Sequence, residues 1–329
     1  MLKPLRLLLS TVAAVAATLA GSPSASAKTP VVIVTDIGTD IDDSWAVALA
    51  LRSPELDVKL ILTDAADTTY RAKIVGKLLE AAGRTDVAVG VGEEIPSKGE
   101  TLETLTPWVG SYDLGKYPGK VYRNGGDALA DLVAKSDRTV TVIAIGPVPS
   151  LALALKRYPA LAPKCRFVGM YGSFDVGYGG GAPSPETNVR VDPSGFRTVL
   201  AAGWKDILLT PLDTCGFVGL AGERYHAIWS ATGDPLLRAL IESYCIFAPR
   251  QTWMTCDYYA TRSTTLFDCV AVYLAYSEDL VEVETVRFDV DDAGYTKRAP
   301  GGAFTARVAL RWRNRDGFEA QLAGRLLAP

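Results

Sequence analysis

Two spacings of apolar and polar positions alternate along the chain. "VVIVTD" (31–36) is a continuous apolar run ending in an acid, as in a strand buried on both faces. "DDSWAVALALRS" (42–53) has helical spacing with acids in its first turn, where the helix dipole favours them. The same pair recurs as "VKLILTDA" (58–65) followed by "YRAKIVGKLLEAAG" (70–83), a helix closed by Gly83. It recurs again as "TVTVIAIG" (139–146) with "PSLALALKRY" (149–158). "CRFVGMYG" (165–172) and "DILLTPLD" (206–213) read as further strands with the helix "DPSGFRTVLAAG" (192–203) between them. Helical segments then dominate up to "LFDCVAVYLAYSEDL" (266–280), and "VEVETVRFDV" and "TARVALRWR" read as closing strands around a Gly/Pro-rich turn. The expected fold is a single α/β domain with a largely parallel central sheet and helices on both faces.

Ligands of such sheets bind beyond the carboxyl ends of the strands. Several polar clusters fall at those ends: Asp36, then Asp64 and Asp67, then Gly146 and Pro147. Residues far apart in sequence are therefore expected to meet at one edge of the sheet.

The first residues carry a different pattern. Lys3 and Arg6 precede the apolar "LLLSTVAAVAATLAG", and "SASA" ending at Ala27 has the small-x-small form of a signal-peptidase site. The reading is a cleaved export signal over residues 1–27, a mature domain over 28–329 and a secreted or periplasmic destination. No later run is long and apolar enough to cross a bilayer. Removing the leader takes away two basic residues, leaving 32 basic against 37 acidic, which argues against nucleic acid as a partner. None of the five cysteines (165, 215, 245, 256 and 269) forms a CxxC pair, so a zinc site is not indicated. In an exported chain one or two disulfides are compatible with this count, but spacing alone does not assign them.

The segment that carries chemistry is "VVIVTDIGTDIDDSWAVALAL" (31–51), which places Asp36, Asp40, Asp42 and Asp43 within eight residues. Like charges so close repel, and burial makes the repulsion worse. An EF-hand loop starting at Asp36 would need Gly at its sixth position and Glu at its twelfth; the chain has Ile41 and Val47 there. A haloacid-dehalogenase-type phosphatase would want a second Asp where Gly38 stands. A hard-cation site, with calcium as the expected ion, fits better: its charge offsets the repulsion and lets one aspartate act on water.

This segment resembles the N-terminal signature of the inosine–uridine nucleoside hydrolase family, commonly DxDPGxDDxxAL. Further segments are similar to family motifs, in the family's order: "LILTDAADTTYRAKIVGKLLEAAG", "VIAIGPVPSLALAL", "PETNVRVDPSGFRTVL" and "LFDCVAVYLA". The resemblance implies a nucleoside hydrolase fold and calcium-dependent hydrolysis of the N-glycosidic bond of ribonucleosides. It implies Asp36 as the carboxylate that activates water and also touches the metal. Asp43, Asp268 and the backbone carbonyl of Ile145 would complete the calcium shell; Asp40, which the family pattern lacks, is either an extra ligand or displaces Asp42 from its expected role. It further implies Asp42, Glu186 and Asn188 as sugar ligands, with Asp67 near the place of a ribose-binding Asn. A homo-oligomer, dimer or tetramer, is implied too.

The chain departs from the family pattern in specific ways. Two extra residues separate Gly38 from the Asp42–Asp43 pair and add Asp40. The familiar EFN reads Glu186-Thr187-Asn188, and the histidine of the HDP-like motif is Phe267. "TPWVGSYDLG" (106–115), similar to a VHGxxGLG stretch, has no histidine either, and the single His226 lies far from any motif. The imidazole that would protonate the leaving base is missing. Trp108, Phe267 and Trp253 are candidate stacking faces, and Tyr244, Tyr258 and Tyr259 candidate phenols; a stacked, histidine-free site leans towards purines. Two alternatives stay open: a catalytically silent nucleoside or sugar binder, and a hydrolase of another ribosylated compound.

Overall fold

The computed structural model describes residues 27–97 and 103–328. The export signal expected over residues 1–27 therefore lies outside the described residues, apart from Ala27. Ten strands form one sheet: β1 (Thr29–Thr35), β2 (Leu56–Thr63), β3 (Ala88–Val91), β4 (Val121–Tyr122), β5 (Val140–Ala144), β6 (Cys165–Met170), β7 (Asp206–Thr210), β8 (Val281–Val290), β9 (Thr296–Arg298) and β10 (Phe304–Trp312). Their order is β4-β3-β2-β1-β5-β6-β7-β10-β8-β9. Pairing is parallel from β4 through to β10, and β8 and β9 add antiparallel pairs. This is the single, mostly parallel α/β domain that the alternating pattern predicts.

The apolar runs are continuous because both faces of the sheet are covered. Val31 and Ile33 of β1 point into one core with Trp45, Leu49 and Ile74. Val32 and Val34 point into the other, with Leu129, Leu151 and Phe196. The first core is roofed by α1 (Asp42–Arg52), α2 (Thr68–Ala81) and the helices Pro235–Phe247, Phe267–Leu274 and Arg315–Leu327; the second by Gly125–Lys135, Pro149–Arg157 and Pro193–Leu200.

Sequence spacing does not single out β3, β4, β9 or the helices Gly125–Lys135 and Arg315–Leu327. The three strands are two to four residues long and lie at or next to a sheet edge, too short to show a period. The closing strands were legible, but not their place: β10 docks parallel on β7 and so fuses the C-terminal hairpin to the main sheet. All five cysteines are free thiols. Among the described residues, no helix is long and apolar enough to cross a membrane.

Candidate active site

Strand order reverses at β1, which has β2 on one side and β5 on the other. That is the switch point at which loops diverge and leave a crevice. Asp36 follows directly on β1, and Ile145 and Gly146 follow β5. The two strand ends touch so closely that a Cβ on Gly146 would lie 2.6 Å from the Asp36 backbone nitrogen and 2.7 Å from its Oδ1. Only glycine fits there. Gly38, with φ of +101°, turns the chain back towards α1; a Cβ on it would lie 2.5 Å from Ile74 of α2.

A cavity of about 290 Å³ opens over these ends. Its floor carries Asp36, Asp40, Asp42, Asp43, Ile145 and Asp268. The rest of the lining is Thr39, Met170, Tyr178, Glu186, Thr187, Asn188, Arg190, Phe247, Gln251, Trp253 and Phe267, with the Tyr178 and Phe267 rings edge-on at 6.0 Å. Carboxylate oxygens of Asp42, Asp43 and Asp268 lie within 4.8 Å of one another. Asp42, expected as a sugar ligand, thus stands within this acidic trio.

Asp40, Asp42, Asp43 and Glu186 are held by local structure. Thr35 Oγ1 donates to Asp43, and the Asp268 N–H donates to Asp42 Oδ2 at 3.3 Å. Asp40 Oδ1 accepts from the Ile41 N–H at 2.6 Å. Glu186 caps the short helix Thr187–Val191: its Oε1 accepts from Asn188 N at 2.7 Å, and its Oε2 from Gly172 N and Val189 N at 3.2 Å. The Asn188 amide donates to Met170 O at 3.1 Å.

The electrostatics report a site short of positive charge. Burial pushes Asp42, Asp43 and Asp268 well above the usual carboxylate range, and the neighbouring aspartates add to the shift. Burial also raises Asp36, against the pull of the Arg71 guanidinium. It takes Asp40 to about 6 and Glu186 to about 7. Packing this many carboxyls together is costly even with the Arg71 and Arg190 guanidiniums nearby.

The donor set fits a hard divalent cation. Every titratable donor on the floor is a carboxylate oxygen, and no imidazole lines the cavity. The nearby Cys215 and Cys269 are buried, and burial together with adjacent acids raises their thiols well above the ordinary range. Neither lines the cavity, so the floor offers no sulfur donor to a soft metal.

Two expected site residues lie elsewhere. Asp67 is exposed and caps α2, its Oδ1 accepting from Tyr70 N at 2.7 Å, so it does not line the cavity. The turn before it, with φ of 63° at Ala65 and 49° at Ala66, swings the chain out of the crevice before residue 67. Trp108 is a core residue, buried with the Lys77 ammonium 4.5 Å from its ring centroid. Among the candidate phenols, Tyr244 is buried and donates to Arg262 O at 3.0 Å, and none of the three lines the cavity. Tyr258 supports the rim instead, with its ring edge-on to Trp253 at 5.3 Å. His226 lies on the helix Gly222–Ser230, away from the cavity.

Sequence reasoning missed Tyr178, Arg190, Phe247 and Gln251 in the walls, and Arg71 beneath the acid loop. The first four sit in segments without periodicity or outside any matched position. Arg71 reads as an ordinary helix residue until α2 is seen packed on the loop.

Comparison with known proteins supplies the family. The family model described as inosine-uridine preferring nucleoside hydrolase matches residues 31–318. The chain belongs to that family. Among curated relatives, a probable uridine nucleosidase of Oryza sativa is 29% identical over 179 residues, 52% of this chain and 55% of that protein. A pyrimidine-specific ribonucleoside hydrolase of Escherichia coli is 31% identical over 179 residues, 52% of this chain and 57% of its own. This nucleoside hydrolase family member thus spans little more than half the length of those two relatives. Solved structures match over more of it. A plant nucleoside hydrolase aligns at a TM-score of 0.74 and 24% identity, covering 92% of this chain and 100% of the other. An inosine-uridine preferring nucleoside hydrolase of Bacillus anthracis aligns at 0.72 and 20%, covering 91% and 99%. At that identity these two matches speak for the fold.

Proposed function

We propose that the protein is a divalent-cation-dependent hydrolase, with calcium as the ion, that cleaves the N-glycosidic bond of ribonucleosides to free base and ribose. The observation that carries this reading is the convergence of Asp36, Asp42, Asp43 and Asp268, from opposite ends of the chain, in one cavity with Glu186 and Asn188.

Asp36, Asp42, Asp43 and Asp268, with the Ile145 backbone and Asp40, would hold the cation. When bound, the cation neutralises the acids and orients vicinal sugar hydroxyls. Asp36 accepts the proton of the water that attacks the anomeric carbon. As the C–N bond loosens, the ribose approaches an oxocarbenium ion, and the surrounding carboxylates stabilise its positive charge. Glu186 and Asn188 are placed to hold the sugar hydroxyls, Asn188 oriented by its bond to Met170 O. The base departs with the electron pair of the C–N bond and takes its proton from solvent at the cavity mouth, while Phe247, Trp253 and Phe267 offer aromatic faces that stack on it. The export signal expected over residues 1–27 favours a secreted or periplasmic setting, with salvage of purine or pyrimidine bases as the use, and resemblance to the family favours a homo-oligomer.

The test is release of base and ribose from a panel of purine and pyrimidine nucleosides, with calcium and with chelator. Calcium-dependent release from at least one ribonucleoside is expected; none from any N-riboside in the presence of metal would sink the reading. The absence of an imidazole from the cavity favours one other function, a silent nucleoside or sugar binder. Tight binding by calorimetry without turnover would establish that function instead.

A further inference from the structure

Arg71 lies on α2 and is 2% exposed. Its guanidinium makes three hydrogen bonds, all to neutral acceptors. Nε donates to Ala65 O at 2.9 Å, Nη1 to Ile37 O at 3.0 Å and Nη2 to Thr39 Oγ1 at 2.8 Å. Burying a cation without a directly paired carboxylate is expensive. The cost falls where the surrounding field is negative and each of the three guanidinium nitrogens finds an acceptor. Both conditions hold here, because the acid-bearing loop 36–41 lies directly against the guanidinium.

The three acceptors come from two loops, Ile37 and Thr39 from one and Ala65 from the other. Ile37 and Thr39 flank Gly38, whose left-handed turn sends the chain from Asp36 towards Asp42 and Asp43. Ala65 is the first of two consecutive non-glycine residues with positive φ, a conformation that an L side chain disfavours. Its N–H is held by Glu93 O at 3.1 Å and that of Ala66 by Ile95 O at 2.9 Å. The same helix adds Tyr70 and Ile74, which close over Gly38. A planar fork with fixed angles can hold both loops at once, whereas the single ammonium of a lysine cannot reproduce its geometry.

We infer that Arg71 is the positioning residue of the cation site: its fork sets the backbone of loop 36–41 so that Asp36, Asp42 and Asp43 converge on one ion. The inference rests on the cation-site reading above. It also has a sign that simple electrostatics does not share. A positive charge beside a cation site repels the ion, so charge alone predicts tighter calcium binding when Arg71 is removed. Positioning predicts weaker binding, because partners behind the ligands typically contribute about 10–100-fold in metal affinity.

The experiment is calorimetric titration of the full chain with calcium, for wild type, Arg71→Met and Arg71→Lys, with circular dichroism to confirm folding. Both variants are expected to bind calcium about 10–100-fold more weakly. Arg71→Lys keeps the charge and packing, and carries the test if Arg71→Met does not fold. Arg166→Met is the stability control: Arg166 pairs with Asp206 and Glu278 at the opposite end of the strands, so its loss should lower the melting temperature and leave calcium affinity within about twofold. Wild-type affinity, or tighter binding, in a folded Arg71 variant would overturn the inference while leaving the cation site standing. A wild-type chain that bound no divalent cation would remove the cation-site reading and this inference with it.

Discussion

The backbone N–H of Asp268 donates to the Asp42 carboxylate across 226 residues of sequence, at 3.3 Å. The bond links the first turn of the helix Phe267–Leu274 to the first turn of α1, so the N-termini of two helices face the same acids. Each contributes partial positive charge to an acid-rich cluster. Asp268→Asn keeps the shape and removes one charge. Changes behind metal ligands cost about 10–100-fold in affinity, so loss of a ligand charge should cost at least about 100-fold for calcium by titration calorimetry. Unchanged affinity would place the ion elsewhere.

The acid cluster also sets how stability responds to pH. In metal-free protein Asp40 is raised to about 6, and Asp36, Asp42, Asp43 and Asp268 are raised as well, all chiefly by burial. Raised carboxyls bind more protons folded than unfolded. The stabilising protons are fully present at low pH, and that contribution is lost as pH climbs through the folded values. With chelator, the melting temperature should therefore rise as pH falls from about 8 to about 5. Calcium needs ionised ligands and should reverse the slope. A chelated chain that melted higher at pH 8 than at pH 6 would contradict the assignment.

Gly146→Ala tests how closely β1 and β5 must approach. The added methyl would lie 2.6 Å from the Asp36 nitrogen, so Asp36 or the β5 end must move. A shift of about 1 Å at a reacting group costs roughly 100-fold, so kcat/KM should fall by about that factor. Gly324→Ala meets nothing in its helix and should stabilise the chain by about 1 kcal/mol with unchanged kinetics. Equal behaviour of the two variants would show that Asp36 tolerates displacement.

Asp67→Ala removes a helix cap and nothing from the cavity. Thermal denaturation should register a loss of about 1 kcal/mol, with kcat and KM within about twofold of wild type. A large KM increase would return Asp67 to the sugar site.

Trp108 and Trp253 separate a core aromatic from a rim aromatic. Trp108→Ala should cost about 3–5 kcal/mol of stability, the range for emptying a core aromatic site. Trp253 is 56% exposed at the cavity mouth. Trp253→Ala should change stability by less than about 0.5 kcal/mol and raise KM several-fold. Steady-state kinetics beside melting curves read both, and an unchanged KM would detach Trp253 from the base.

Local pattern determined a good deal of this protein. Apolar runs such as Val31–Val34, buried on both faces, and the spacing of α1 and α2 are properties of neighbouring residues, so the α/β class and the strand ends near Asp36 and Ile145 were readable in order. The ordered motifs also named Asp36, Asp43, Glu186, Asn188 and Asp268, and all five line one cavity. Tertiary structure decided the rest, because contact across the sheet has no local signature. It brought Asp42 into the acidic trio, moved Asp67 out on a left-handed turn, buried Trp108 and set Arg71 under the acid loop. Whether a polar or aromatic side chain faces a cavity depends on which element packs over it, and α2 and the segment 247–253 take their places only when the chain is folded.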